Sequence, residues 1–160
     1  MNVVKLMTRA LITVRPEDSV EIAVQLLRQR GVRHLLVLKN TRLVGIISDR
    51  DIKRALDPER TRKKLLGIGG LYFLIEPILV REIMTPDPVT IRPDATAQEA
   101  AAVMVAERFG ALPVVRGNEL VGIITETDLL RHFANQGAEA KGAGSRPSPK
   151  PKASLKRHKK

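Results

Sequence analysis

The chain has 160 residues, with 28 Lys and Arg against 17 Asp and Glu, a formal charge of +11, and neither Cys nor Trp. Hydrophobic residues make up 43% of it, enough for a real core, but the aromatics are only Phe73, Phe109, Phe133 and Tyr72, so that core is aliphatic and stacking surfaces for bases are scarce. Zero cysteines exclude disulfides, thiolate zinc sites and a cysteine nucleophile.

The opening Met1-Asn2-Val3-Val4-Lys5-Leu6-Met7-Thr8-Arg9 interrupts its apolar stretch with basic residues too often for a secretory signal, so a cytoplasmic protein is expected. Residues 12–14 read as a brief strand, and Arg15-Pro16-Glu17-Asp18 turns the chain, with Asp18 and Glu21 spaced for a capping box. Val20, Ala23, Val24 and Leu27 then follow at i, i+3, i+4 and i+7, one apolar helical face. Residues 35–38 and 43–47 are strands about a Lys39-Asn40-Thr41-Arg42 turn, and residues 49–56 a closing helix.

A linker, 57–81, contains Leu71-Tyr72-Phe73-Leu74-Ile75, which reads as a helix covering the sheets or as a subunit contact. Its Gly67-Ile68-Gly69-Gly70 lacks the spacing of a phosphate loop and reads as flexible connection. The longest uncharged run, 65–75, has 11 residues and is too short to span a bilayer, so no membrane is expected. Beyond the linker the pattern returns. Thr96 and Glu99 are capping candidates; Ala97, Ala100, Ala101 and Met104 form the apolar face; 112–115 and 120–125 are strands, and 126–133 a helix.

The return is a true internal repeat. An offset of 77 aligns residues 7–54 with 84–131 without a gap, with 15 of the 48 positions identical. Met7-Thr8 matches Met84-Thr85, Arg15-Pro16 matches Arg92-Pro93, and Leu43-Val44-Gly45-Ile46-Ile47 matches Leu120-Val121-Gly122-Ile123-Ile124. The expected organisation is therefore a first repeat over 1–56, the linker 57–81, a second repeat over 82–136 and a tail over 137–160. The fold class is α/β, each unit running strand, helix, strand, strand, helix. A unit of about 50 residues buries too little alone, so the two pack together.

The tail calls for a separate reading. Residues 141–160 hold eight of the basic residues and no acid, among Pro, Gly, Ser and Ala, the composition of a disordered basic segment. Without it, 20 basic residues face 17 acidic ones, and the folded part is nearly balanced. Such a tail can neutralise phosphates of a nucleic acid or meet an acidic partner.

No catalytic constellation emerges. His34, His132 and His158 have no two-histidine metal spacing, and no Ser sits in a Gly-x-Ser-x-Gly elbow, so neither an enzyme nor a metal site is expected. What repeats and is polar is Gly45-Ile46-Ile47-Ser48-Asp49-Arg50-Asp51 and its partner Gly122-Ile123-Ile124-Thr125-Glu126-Thr127-Asp128. A hydroxyl ends a buried strand and an acid follows three residues later. Two readings stand: an N-cap with a capping box, or a nucleotide site in which the hydroxyl and helix N-terminus meet phosphate and the carboxylate a ribose diol.

The order Met-Thr, Thr-h-x-Pro, Ala-containing helix, Leu-h-Val-h and Leu-Val-Gly-Ile-Ile-Ser/Thr-x-x-Asp resembles the CBS domain, named for cystathionine beta-synthase. Its tandem repetition over about residues 3–135 resembles a Bateman module of the stand-alone bacterial or archaeal type. The resemblance implies two units about a pseudo-twofold axis, a homodimer, and a non-catalytic regulatory sensor of AMP, ADP, ATP or S-adenosylmethionine, with no covalent cofactor and with a protein partner to receive the signal. It implies Ser48 and Thr125 at phosphate, Asp51 and Asp128 at ribose, Thr13 and Thr90 near adenine, and Arg33 and His34 against phosphate. Leu36 stands where the family has the Pro kept at Pro113.

Only the first copy offers Arg33, His34 and Arg50; their counterparts are Gly110, Ala111 and Thr127. These three are either solvated surface charges and a packed strand end, or the reason the two clefts are unequal and a multiply charged nucleotide prefers the one these residues reach. The alternative function is a ligand-free interaction module tethered by its tail to nucleic acid or an acidic partner.

Overall fold

In the computed structural model, which describes residues 1–57, 59, 65–74 and 76–141, fourteen elements follow in chain order. They are α1 (Val3–Leu6), β1 (Thr13–Val14), α2 (Val20–Arg30), β2 (His34–Lys39), β3 (Arg42–Ser48), α3 (Asp49–Ala55), β4 (Leu65–Ile68) and β5 (Leu71–Leu74). Then come α4 (Val80–Ile83), β6 (Thr85–Pro86), α5 (Ala97–Glu107), β7 (Ala111–Arg116), β8 (Glu119–Thr125) and α6 (Glu126–Lys141). The mixed α/β class and the two repeated units are as the sequence indicates.

The repeat survives to the level of register. In the antiparallel pair β2–β3, His34 faces Ser48 and Lys39 faces Arg42, with an irregularity between Val37 and Leu38. In β7–β8, Ala111 faces Thr125 and Arg116 faces Glu119, with the same irregularity between Val114 and Val115. Both hairpin turns need one left-handed residue, supplied by Asn40 at φ 56° and Gly117 at φ 60°.

Packing cuts across the sequence repeats, because each unit borrows its first segment from the other. Val3 and Met7 are buried with Ile91, Ala97, Leu112, Val114 and Ile124 of the second unit. Ile78 and Val80 are buried with Val14, Val20, Leu35 and Ile47 of the first. Backbone hydrogen bonds fix both exchanges: Val3 N–H donates to the Ala95 carbonyl and Thr8 N–H to that of Ile123, each at 2.8 Å, while Val20 N–H donates to Ile78 and Val80 N–H to Asp18, also at 2.8 Å. β6 completes the first sheet, in the order β1-β2-β3-β6.

The exchange explains the glycine in each Leu-Val-Gly-Ile-Ile block. A Cβ at Gly45 would lie 2.5 Å from Met84 Sδ, and one at Gly122 would lie 2.6 Å from Met7 Sδ. Each Met-Thr therefore crosses the second hairpin strand of the other unit, β3 or β8, at the one position without a side chain.

Three local expectations are corrected. The linker's apolar run is not a helix: β4 and β5 pair antiparallel from Leu65↔Leu74 to Ile68↔Leu71. Gly69 at φ 58° and Gly70 at φ 81° provide the two left-handed residues of a tight hairpin turn, a conformation that competes well against a run only a few residues long. Asp18 does not cap α2, whose N-cap is Ser19 without a side-chain bond. The Asp18 carboxylate instead accepts from Arg15 N–H at 2.7 Å and from the Arg15 guanidinium at 3.1 Å. Finally, α6 runs on to Lys141 instead of closing near residue 133.

Candidate functional site

The two Ser/Thr-x-x-Asp motifs adopt one geometry. Ser48 N–H and Oγ–H donate to Asp51 Oδ2 at 2.8 and 2.7 Å, and Asp51 N–H donates back to Ser48 Oγ at 3.2 Å. Thr125 and Asp128 repeat this at 2.9, 2.7 and 3.3 Å. The capping-box reading is thus realised. It consumes only Oδ2: Oδ1 of each carboxylate accepts no hydrogen bond among the described residues and has a guanidinium at 3.9 Å (Arg54) or 3.8 Å (Arg131). One carboxylate oxygen per motif is left to accept from a ligand.

Each motif borders its own cleft. That of Ser48 and Asp51 has a volume of about 240 Å³ and is lined also by Ile46, Arg50, Thr85 and Arg108. That of Thr125 and Asp128 has about 430 Å³, with Thr8, Ile12, Leu36 and Ile123 among its walls. Thr8 and Thr85, the residues after the crossing methionines, reach these clefts only because the first segments are exchanged.

Charge is unevenly divided between them. The smaller cleft has Arg33, Arg50, Arg54 and Arg108 facing Asp49, Asp51 and Glu126; the larger has Arg30, Arg33 and Arg131 facing Asp128 alone. Arg33 and His34 line both. They stand between the two clefts, and Arg33 Nη2 donates to Thr127 Oγ1 of the second unit at 3.3 Å. The reason is their place at the start of β2, where the strand begins against the other unit. His34 is held below its ordinary value of 6.5, first by burial and next by the neighbouring Arg33 charge, against an opposing pull from Asp49, Asp51 and Glu126.

Arg108 was not singled out from the sequence. It closes α5 at φ 58°, the left-handed position that Gly31 fills at φ 61° after α2. A side chain kept where the other unit has glycine costs about 1 kcal/mol of backbone strain, and such residues gather at functional sites. The offset of the repeat, which sets Gly31 against Arg108, was the available signal. Arg54 and Arg131, identical under the same offset, were missed as well.

The structure thus gathers Arg33, His34, Ser48, Arg50 and Asp51 at one cleft and Thr125 and Asp128 with Arg33 and His34 at the other. It does not bring in the two adenine candidates. Thr13 is exposed and lines neither cleft, although its neighbour Ile12 and its register partner Leu36 line the larger one, and Thr90 borders a separate open cavity with Asn2, Arg92 and Arg116. Among the described residues no group of three or more His, Asp and Glu is placed to hold a metal, and no helix is long and apolar enough to cross a membrane. Residues 142–160, on which nucleic-acid or acidic-partner contact depends, lie outside the described residues.

Comparison with known proteins agrees with this architecture. The sequence profile of the CBS domain matches residues 3–58 and 80–135. An inosine-5'-monophosphate dehydrogenase of Korarchaeum cryptofilum is 39% identical over 123 residues, 76% of this chain and 22% of that protein. The chain likewise spans less than half of three further relatives at 33–35% identity. Among solved structures, a CBS domain pair in complex with 5-methylthioadenosine and S-adenosyl-L-methionine is similar at a TM-score of 0.71 and 25% identity, covering 85% of this chain and 98% of that one. CBSX2 in complex with AMP is similar at 0.67 and 31% identity, again over 85% and 98%.

Proposed function

The chain belongs to the CBS-domain family as a tandem pair of its units, and from that premise we propose that it is a non-catalytic regulatory module whose clefts take an adenosine-containing ligand. The observation that carries the reading is the Oδ1 of Asp51 and of Asp128, which accepts no hydrogen bond among the described residues and has only a guanidinium at 3.9 or 3.8 Å, each beside a cavity with cations at one part of its wall and aliphatic side chains elsewhere. A ribose diol donates to such an oxygen, a phosphate meets the guanidinium groups, and a base is buried among aliphatic residues. Similar structures hold AMP or S-adenosylmethionine with 5-methylthioadenosine, which supports the same ligand class here.

The larger cleft, with Thr125 and Asp128, is the stronger candidate. Its 430 Å³ falls within the roughly 300–1,000 Å³ usual for small-molecule sites, while the other's 240 Å³ falls short. Occupancy acts on the relative arrangement of the two units, or of two chains in a homodimer, only through differential affinity for those arrangements. A thermal-shift panel of AMP, ADP, ATP and S-adenosylmethionine tests the reading, since a ligand of the native state raises Tm by mass action. No rise with any of them at millimolar concentration would remove it.

A further inference from the structure

The two clefts are built as a pair, yet the basic residues between them are not duplicated. Arg33 and His34 border both cavities, while their counterparts under the 77-residue offset, Gly110 and Ala111, carry no charge. Among the described residues Arg33 has no carboxylate in ion-pair range; its side chain bonds only the neutral Thr127 hydroxyl. One hydrogen bond to a neutral hydroxyl is thus what a phosphate must displace to engage it. By contrast Arg54 and Arg131 each lie within 4 Å of their own motif's carboxylate.

Removing Arg33 from each wall shows what it decides. The Ser48–Asp51 cleft then has Arg50, Arg54 and Arg108 against Asp49, Asp51 and Glu126, with no excess of positive charge, whereas the Thr125–Asp128 cleft keeps Arg30 and Arg131 against Asp128. We infer that Arg33 is a single phosphate ligand shared by the two clefts, so that a nucleotide polyphosphate bound at Thr125–Asp128 claims it and weakens polyphosphate binding at Ser48–Asp51. This rests on the adenosine-ligand reading and adds to it a coupling between the sites. The coupling is negative and specific to phosphate. Adenosine, which has nothing for Arg33 to hold, escapes it. A guanidinium contact to phosphate is among the stronger charge-assisted bonds, and its loss is worth about tenfold in affinity.

Calorimetric titration of the full chain with ATP and with adenosine tests this. ATP binds the wild type in two steps whose separation exceeds that of the two adenosine steps by about tenfold or more. Ala10→Trp, at an exposed residue on the wall of the larger cleft, blocks that cleft without entering the core. In this variant the remaining cleft binds ATP about tenfold more tightly than the second step of the wild type, because Arg33 is no longer engaged. If the affinity instead equals that second step, the clefts are merely unequal and the proposal is wrong. Arg33→Ala provides an independent arm: it weakens the first ATP step by about tenfold and narrows the gap between steps, and a gap as wide as that of the wild type overturns sharing. Adenosine bound at both sites without any ATP gap refutes the coupling alone, while no binding of either compound removes the ligand reading and the coupling with it.

Discussion

Gly110 makes the room that His34 occupies. A Cβ at position 110 would stand 3.1 Å from His34 Nε2 and 3.2 Å from Cε1, tighter than ordinary packing allows. The glycine of the second unit thus serves Arg33 and His34 of the first, and the difference between the repeats is one arrangement seen from two sides. Gly110→Ala should destabilise the fold by about 1–2 kcal/mol in urea unfolding, as overpacking does. Adding His34→Ala should recover part of that loss, a non-additivity expected of residues in contact.

The exchanged first segments make a separable prediction. Val3 is fully buried in the second unit's core although it belongs to the first repeat in sequence. Val3→Ala should cost about 2 kcal/mol through lost burial and a small cavity. Hydrogen exchange should accelerate in Ala111–Arg116 and Glu119–Thr125 and leave His34–Lys39 largely protected; acceleration in the first unit instead would contradict the exchange.

His34 predicts a pH dependence. Burial and Arg33 lower its proton affinity in the folded state, so just below its ordinary value of 6.5 the unfolded chain binds more protons than the folded one. Stability therefore rises with pH through that window and is fully present above it, with a slope of at most about 1.4 kcal/mol per pH unit for one proton. Urea midpoints from pH 5.5 to 7.5 should show this slope in the wild type and a flatter one in His34→Ala.

Capping and ligand binding separate by comparing two boxes. Thr96 and Glu99 form the same hydrogen-bonded pattern as Thr125 and Asp128, with Glu99 N–H reaching Thr96 Oγ1 at 3.1 Å, but neither borders the clefts. Thr96→Ala and Thr125→Ala should each cost about 1 kcal/mol. Only Thr125→Ala should also weaken AMP binding.

What the sequence made legible is what short-range chemistry decides. The Leu-Val-Gly-Ile-Ile strands, the boxes at Ser48 and Thr125, and the α5 cap at Thr96 follow from residue types within a few positions of each other. The exchange of segments 1–8 and 78–86 was hidden, since an aligned repeat says nothing about which copy a segment packs against. Gly69-Gly70 between two apolar runs was a hairpin signal, overridden by the look of a continuous apolar stretch. Arg33 could be recognised as unpaired with its repeat, but only the fold shows it lying between the clefts. Thr13 and Thr90 were carried over by motif and stand outside both.

The most direct measurement is calorimetric titration of AMP into the wild type and into the Asp51→Asn/Asp128→Asn double variant, with the fold of each verified by its melting transition. Asn keeps an oxygen for the cap and removes the charge offered to a ribose. The account predicts that AMP binds the wild type and that affinity falls at least tenfold in the double variant. AMP binding of equal strength in both would place the ligand away from the two Ser/Thr-x-x-Asp motifs and contradict it.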